Sequence, residues 1–179
     1  MIGKFTQGRV AVFIDAANIF YSQRTLGWRI DFHKLSIYMQ DETKLVGLYY
    51  YTGNVGSHEK QSAFIRKLES SKYRVTSKEV KFIKVPGVSD IPKGNLDIEL
   101  ALDAFRSRDT FDTFILFSGD SDFAYLLDLL KQDGKRVIVV SMRGHIAREL
   151  IVRAKYIALP KLRSVIEKVK GPDKPALEV

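Results

Sequence analysis

The 179-residue sequence contains no cysteine. This absence excludes disulfide scaffolds, thiolate zinc sites and cysteine nucleophiles, and it is typical of proteins from reducing compartments. Histidine is scarce as well, and the spacing of His33, His58 and His145 matches no pair of metal ligands. Metal sites built on thiolates or on paired imidazoles are therefore not expected.

Long apolar runs and several well-known motifs are also missing. The first apolar run stops at Asp15, and nowhere do about 18 apolar residues follow one another. We therefore expect a cytoplasmic protein without a signal peptide or a membrane span. The sequence lacks GxGxxG, a Walker A loop and GxSxG, which argues against dinucleotide binding, P-loop hydrolysis of nucleoside triphosphates and serine esterase chemistry.

The composition fits one globular domain, with 45% hydrophobic and 28% charged residues. The net charge is +8, and residues 58–84 hold eight Lys or Arg against three Glu. Such a basic segment suits a polyanionic partner, because neutralising phosphates releases condensed counterions. A solvated lysine-rich face has the same composition, so both interpretations stay open at this point.

Short β-rich runs alternate with helical patterns along the chain, and the runs at 10–14, 114–117 and 137–140 are continuously apolar. Strands of that kind are buried on both faces, as in a parallel sheet covered by helices. We therefore predict an α/β fold: a doubly wound, mostly parallel sheet flanked by helices, in a single domain over residues 1–160. For residues 161–179 we predict a short helix and a flexible tail.

The predicted strands cover residues 9–14, 45–51, 75–85, 113–117, 136–141 and 156–159. The predicted helices cover residues 19–26, 32–39, 58–70, 96–106, 122–132, 146–153 and 162–169.

Acidic residues follow two of the predicted strands directly. Asp15 comes after the first strand, and the segment 118–122 after the fourth. In an open parallel sheet, ligands bind outside the carboxyl ends of the strands. A single acid there has an ordinary alternative role, because Asp, Asn and Ser are favoured helix N-caps. For Asn18 and Ser121 both roles stay open, and Asn18 is better placed than Asp15 to cap the helix.

Asp97 is the most informative acid. On the predicted helix 96–106, at about 100° per residue, it lies near the middle of an apolar arc that includes Ile98 and Leu102. Asp103 lies just outside that arc, where a solvated position is expected. A carboxylate that faces a core is costly unless hydrogen bonds, a cation or a metal compensate it. Asp122 also leans toward the buried side of its helix.

Helix N-termini and strand carboxyl ends meet at the same edge of a doubly wound sheet, so Asp15, Asp97, Asp120 and Asp122 can converge there. Carboxylates held together in this way bind hard divalent cations through oxygen, and we predict a Mg²⁺ or Mn²⁺ site. The alternative is that each acid is separately capped or paired. An aspartyl phosphohydrolase is disfavoured, because Ala17 stands where its second Asp would be expected.

Three blocks occur along the chain: FIDAANI at 13–19, KGNLD at 93–97 with LALD at 100–103, and SGDSDF at 118–123. With these blocks, in this order, the chain resembles the NYN domain family, LabA-like branch, within the PIN-like nucleases. The likeness covers residues 9–160.

The resemblance implies a PIN-like sheet and a divalent-metal ribonuclease site formed by Asp15, Asp97, Asp120 and Asp122, with Asn18 and Ser118 beside it. It also implies hydrolysis of RNA phosphodiester bonds by a water activated at the metal, leaving a 5′-phosphate. Asp15 and Asp120 are the first choice for direct ligands. Asp97 and Asp122 would bind directly or through water, and one of them could accept the proton of the attacking water.

The basic segment then has a role in holding the RNA backbone, with Arg66, Lys67, Lys72 and Arg74 as candidate phosphate contacts. Lys93 and Gly94 could contact a phosphate or simply shape a loop. The tyrosines at 49–51 could stack on bases. Such a run could equally be a partly buried strand.

Larger relatives in this family carry an attached RNA-binding domain that these residues do not show, so target choice is expected to come from a partner protein. A homo-oligomer is compatible with the sequence. Two other functions stay open. One is a noncatalytic RNA-binding or regulatory module that retains the PIN-like fold, and the other is a phosphohydrolase of small phosphate esters.

Overall fold

The computed structural model describes residues 1–54, 58–79, 81–83, 91–93 and 96–169. Its strands are β1 (Arg9–Asp15), β2 (Lys44–Asn54), β3 (Tyr73–Glu79), β4 (Lys81–Ile83), β5 (Ile91–Lys93), β6 (Thr113–Phe117), β7 (Arg136–Ser141) and β8 (Lys155–Ala158). Its α-helices are α1 (Ala16–Leu26), α2 (Phe32–Glu42), α3 (His58–Ser70), α4 (Asp97–Arg106), α5 (Ala124–Gln132), α6 (Arg148–Ile151) and α7 (Arg163–Ile166).

Six strands form one parallel sheet in the order β3-β2-β1-β6-β7-β8. From β1 the chain adds β2 and β3 on one side and then crosses to β6, β7 and β8 on the other. The strand order therefore reverses between β1 and β6, and the crevice at their carboxyl ends is the place where such sheets bind ligands. The α/β fold predicted from the apolar runs is confirmed.

The alternation of side chains along β1 divides the core into two layers. Val12 and Ile14 point to a layer covered by α1, α2, α3 and α7, which we call the α1/α3 face. Ala11 and Phe13 point to a layer covered by α4, α5 and α6, which we call the α4/α5 face. Both layers are apolar and buried, which is why the central strands read as continuous hydrophobic runs.

Two element predictions were wrong. Residues 75–85 were expected to form one strand, but β3 ends at Glu79 and Lys81–Ile83 pairs antiparallel with Ile91–Lys93 in a separate two-stranded sheet. The helix expected from residue 19 begins at Ala16, directly after β1. A run of β-formers does not reveal which sheet it joins, since that depends on pairing partners far along the chain.

The core continues past Pro160. Leu162 and Ile166 are fully buried, and the Asp31 N–H donates to the carbonyl oxygen of Ile166 at 2.8 Å. The short helix α7 is therefore part of the packed domain. Residues 170–179 of the predicted tail lie outside the described residues. Within the described part of the chain, no helix combines the length and the apolar character that crossing a membrane requires.

Helix α4 buries a narrower stripe than its sequence pattern predicts. Leu100 and Ala104 are buried against the sheet, whereas Ile98 and Leu102 are 73% and 56% exposed. A surface helix needs an apolar stripe only a little over about 100° wide to cover a sheet, so the far end of the arc stays in solvent. Asp103, expected in solvent, is half-buried and accepts a hydrogen bond from the Tyr51 hydroxyl at 3.0 Å.

The contrast between two leucines of α4 is testable. Leu100→Ala removes a side chain that is 1% exposed, and we expect it to lower the free energy of unfolding by about 2–5 kcal/mol through transfer and cavity effects. Leu102→Ala removes an exposed side chain and should change it by less than about 0.5 kcal/mol. Urea unfolding followed by circular dichroism measures both. Equal losses would contradict the position of α4.

Candidate metal centre

Three carboxylates meet at the carboxyl edge of the sheet. Asp97 is the first residue of α4, and Asp120 and Asp122 lie in the turn that follows β6. One carboxylate oxygen from each of the three lies within 4.8 Å of the others. Asp97 and Asp120 are half-buried, and Asp122 is exposed. The arrangement offers several oxygen ligands from two elements that are distant in sequence.

Asp15 lies outside this group of three. Its Oδ1 accepts hydrogen bonds from the backbone N–H groups of Ala17 at 3.0 Å and Asn18 at 3.2 Å, and its Oδ2 accepts one from Ser118 Oγ at 2.9 Å. Asp15 is thus the N-cap of α1. The expectation that Asn18 suits capping better was wrong, because α1 begins immediately after β1 and places Asn18 inside the helix.

Asp120 likewise serves as a cap. It precedes the 3-10 turn Ser121–Phe123, and its Oδ1 accepts from the Asp122 N–H at 3.0 Å. Ser121, for which capping was one of two open roles, instead starts the turn. Capping and ligand binding are compatible, since a carboxylate has about four acceptor sites.

The ends of β1 and β6 are cross-linked by polar groups. Ser118 Oγ, which donates to Asp15, accepts from the Asp120 N–H at 3.2 Å. Asn18 Oδ1 accepts from the Gly119 N–H at 3.0 Å. Asn18 and Ser118, expected beside the site, therefore hold the turn that carries two of the three clustered acids.

Burial raises the pKa of the Asp15 carboxyl. Hydrogen bonds from Asn18, Ser118 and Ala17 act in the opposite direction, and the nearby charge of Asp120 raises it further. Asp15 and Asp120 thus influence each other electrostatically although Asp15 is outside the cluster. A cation at this edge would favour the ionised form of Asp15.

Gly119 is required by close packing. A Cβ at this position would lie 2.7 Å from the carbonyl carbon of His145, closer still to its oxygen, and 2.8 Å from Ser141 Oγ. The Gly119 carbonyl also accepts from the Ala147 N–H at 2.9 Å. The loop after β7 therefore supports the turn after β6. The sequence contains the glycine of SGDSDF but does not indicate which segment packs against it.

His145 was considered in the sequence only as a possible metal ligand. Its Nε2 lies 3.2 Å from Thr25 Oγ1 and its Nδ1 lies 3.4 Å from Ser22 Oγ, both on α1. This ring joins α1 to the loop after β7. No spacing motif could have indicated it, because its partners are 120 and 123 residues away.

Comparison with known proteins shows the family of this chain. The model of the NYN domain matches residues 9–160, and the chain is 37% identical over 174 residues to the low amplitude and bright protein LabA of Synechococcus elongatus, covering 94% of this chain and 93% of LabA. The chain belongs to the NYN domain family. NYN domains are part of the PIN-like nuclease superfamily, so this is a nuclease-type domain.

A solved structure supports the fold of this NYN domain. The crystal structure of a Vibrio parahaemolyticus protein of unknown function superposes with a TM-score of 0.72, covering 86% of this chain and 93% of that one at 24% identity. The sheet and its flanking helices are therefore an architecture that an independent protein adopts.

The basic residues predicted to hold RNA lie at different levels between the two edges of the sheet. Helix α3 packs on the α1/α3 face through Leu68 and runs from the carboxyl edge toward the amino edge. Arg66 and Lys67 are exposed on α3. Lys72 comes just before β3 and donates to Gln40 Oε1. By strand register it lies about 13 Å below the level of Asp15.

Arg74 and Lys78 lie closer to the carboxyl edge and share a side of β3. The Arg74 guanidinium donates to Tyr49 Oη at 2.9 Å, with its carbon 5.3 Å from the ring centroid. Lys78 Nζ donates to Glu99 Oε1 at 2.8 Å, two residues beyond Asp97 on α4. Lys78 was missed in the sequence. Because it is four positions after Arg74, the alternation of side chains along a strand places both on the same side and could have indicated it.

The tyrosine run has mainly a structural role. Tyr50 and Tyr51 are 6% and 3% exposed, so neither can stack on a base. Tyr49 is half-buried and stacks on Phe13 with ring centroids 4.3 Å apart. Lys93 ends β5, its side chain lies outside the described part of the structure, and Gly94 is outside the described residues.

The donor set fits a hard divalent cation. The three clustered groups are all carboxylates, no thiolate exists in the chain, and such oxygen sets suit Mg²⁺ or Mn²⁺ rather than softer metals. A carboxylate cluster without a cation is opposed by its own repulsion. The acidic cluster could therefore bind a metal.

We expect Gly119→Ala to lower the free energy of unfolding by about 1–3 kcal/mol, because the new methyl group collides with backbone atoms of His145. Ser121→Ala, an exposed position in the same turn, should change stability by less than about 0.5 kcal/mol. Thermal and urea unfolding of both variants test this. A Gly119→Ala protein as stable as the wild type would show that the two loops do not pack as described.

Proposed function

We propose that this chain is a divalent-metal-dependent ribonuclease that hydrolyses RNA phosphodiester bonds. The observation that carries the proposal is the cluster of Asp97, Asp120 and Asp122, with oxygens within 4.8 Å, at the edge where the strand order reverses in a NYN domain. Ligands of doubly wound sheets bind at that point. Membership of the NYN family, whose domains are of the nuclease type, supports nuclease chemistry at this edge.

In this proposal Asp97, Asp120 and Asp122 hold Mg²⁺ or Mn²⁺. Bound there, the cation supplies Lewis acidity at the phosphoryl group and lowers the pKa of water. The direct-ligand role first expected of Asp15 passes to Asp97 and Asp122, because Asp15 already accepts three hydrogen bonds. One acceptor site of the Asp15 carboxylate is left for a further contact.

Asp122 is our candidate for accepting the proton of the attacking water. It is the exposed member of the cluster, so its carboxylate is reached by solvent. Asp120 is held by its own hydrogen bond to the Asp122 N–H, which keeps the two side chains close together. Asp15 and Ser118 act as positioning residues, since they fix the turn on which Asp120 and Asp122 lie.

Arg74 and Lys78 are our candidates for holding the RNA backbone near the acids. Both project on the side of β3 that faces α4, and the Lys78 ion pair with Glu99 joins β3 to the helix that carries Asp97. That pair is largely exposed, with 55% and 36% of the two side chains accessible, so it contributes little stability and can open to a phosphate.

Lys67 and Lys72 have a different role in this proposal. Lys72 lies about 13 Å below the level of Asp15 along the strand direction. Lys67 is in the last turn of α3, which runs toward the same amino edge. A long RNA could reach them, but the phosphate being cleaved could not. A partner protein that directs target choice is compatible with this separation.

The central prediction is cleavage of single-stranded RNA in Mn²⁺ or Mg²⁺ that Asp120→Asn reduces about 100-fold or more, because the variant removes a charged ligand from the cluster. The measurement is the initial rate with a labelled oligonucleotide. Chelator should abolish the wild-type rate.

The matched control is Asp41→Asn, the same substitution at an exposed aspartate of α2 outside the acidic cluster. This variant should keep the full rate. Mn²⁺ titration calorimetry adds a readout that does not depend on turnover. An RNA rate that is the same in the wild type and in Asp120→Asn would exclude the proposal. RNA binding that persists in chelator without cleavage would favour a noncatalytic module, and activity confined to a phosphate monoester would favour a small-molecule phosphohydrolase.

Salt dependence separates the two sets of cations. Arg74→Gln and Lys78→Gln are each expected to remove one phosphate contact and to reduce the slope of log K against log salt by about 0.7. Lys72→Gln should leave the slope for a short oligonucleotide unchanged. Fluorescence anisotropy with the Asp120→Asn protein measures all three without cleavage. A slope that changes only with Lys72→Gln would place the backbone contacts at the amino edge instead.

A further inference from the structure

Helix α1 exposes an aromatic stripe. Ala17, Phe20, Tyr21 and Arg24 follow the spacing i, i+3, i+4 and i+7, so they line one side of the helix. All four are exposed, and the two rings are 53% and 57% accessible. This is the side where a surface helix ordinarily carries polar residues.

The fold does not need these rings. The buried side of α1 is formed by Ile19 and Ser22, and the aromatic contact recorded for Tyr21 is with Phe20. Neighbouring large apolar side chains that remain in solvent mark interaction sites on soluble proteins. Packing within the fold therefore does not account for the stripe, and a binding role does.

The stripe lies on the helix whose first turn contacts the acidic turn. Asp15 caps α1, and Asn18 on the same helix binds the turn that carries Asp120. Phe20 and Tyr21 follow Asp15 by five and six residues, which is about 7.5–9 Å along the helix axis. An RNA strand that continues from the acids along α1 would meet these rings.

The chemistry of the stripe favours a nucleic acid over a protein. The two rings are 5.7 Å apart at an interplanar angle of 74°, and the Arg24 guanidinium carbon lies 5.9 Å from the Phe20 centroid. Helix α1 contains no acidic residue, and Arg24 is its one charged side chain. Accessible aromatic faces combined with Arg and without acids are the features on which unpaired bases stack.

We infer that Phe20, Tyr21 and Arg24 form a base-stacking platform for single-stranded RNA beside the metal centre, an inference that rests on the proposed ribonuclease function and specifies its substrate class. Bases inside a duplex are already stacked on one another, so their faces are not available to stack on Phe20 and Tyr21. The platform therefore selects RNA that is unpaired next to the bond to be cleaved.

The test compares two RNA probes in the cleavage-deficient Asp120→Asn background. The first is an unstructured 12-nucleotide strand, and the second is the same strand annealed to its complement. Phe20→Ala combined with Tyr21→Ala should weaken binding of the single strand about tenfold or more, given the usual contribution of stacking per base. Binding of the duplex should be unchanged. Fluorescence anisotropy gives both dissociation constants.

Two controls separate stacking from simple exposure. The pair Phe20→Tyr and Tyr21→Phe keeps both rings and should restore binding. Tyr125→Ala removes an exposed aromatic side chain of α5, 72% accessible, and should have little effect. Thermal unfolding shows whether the variants remain folded, which their exposure leads us to expect.

Three outcomes would overturn the platform: a loss no greater than that of Tyr125→Ala, an equal loss for the duplex, or unchanged RNA binding with a change in self-association by light scattering. The last would assign the stripe to a protein interface. Wild-type cleavage with unchanged binding of the double variant rejects the platform alone. Ring-dependent binding of the single strand without wild-type cleavage rejects the ribonuclease function alone.

Discussion

The hydrogen bond from Ser118 Oγ to Asp15 Oδ2 joins the two halves of the sheet at the point where strand order reverses. Its partners are 103 residues apart in sequence. Asp15 also caps α1, and Ser118 also accepts the N–H of Asp120. One contact therefore fixes where α1 begins and where the acidic turn lies. The stripe on α1 and the metal centre keep their relation to each other because both depend on this bond.

Much of the architecture could be predicted because strands buried on both faces read as short, continuous apolar runs that alternate with helical patterns. The apolar runs at 114–117 and 137–140 correspond to central strands, and their flanks correspond to the carboxyl edge. Asp97 could be found for a related reason. A carboxylate within an apolar arc conflicts with the helix around it, and such conflicts mark functional positions. The prediction was wrong only about the width of the buried stripe, since Ile98 and Leu102 are exposed.

The parts that could not be predicted depend on direction in space. The surplus of positive charge in 58–84 is contiguous in sequence, yet α3 carries it across the sheet from one edge to the other. Lys72 and Lys78 are six positions apart, but Lys72 contacts Gln40 while Lys78 contacts Glu99 beside the acids. The packing of the His145 carbonyl group against Gly119 could not be predicted either, because a backbone contact does not depend on the pattern of side chains.

The separation of charges has a consequence for how an RNA would be held. Acids at the carboxyl edge repel phosphates until a cation is bound, and Arg74 and Lys78 lie on the far side of β2 from them. Contacts with the bases therefore add to the contacts that these side chains make with the backbone. Stacking on Phe20 and Tyr21 does not depend on phosphate charge, and α1 packs on the opposite face of the sheet from the partners of Arg74 and Lys78. The cation, the basic side chains and the aromatic rings would then act on three different parts of the same strand, so that the strand is held from both faces of the sheet.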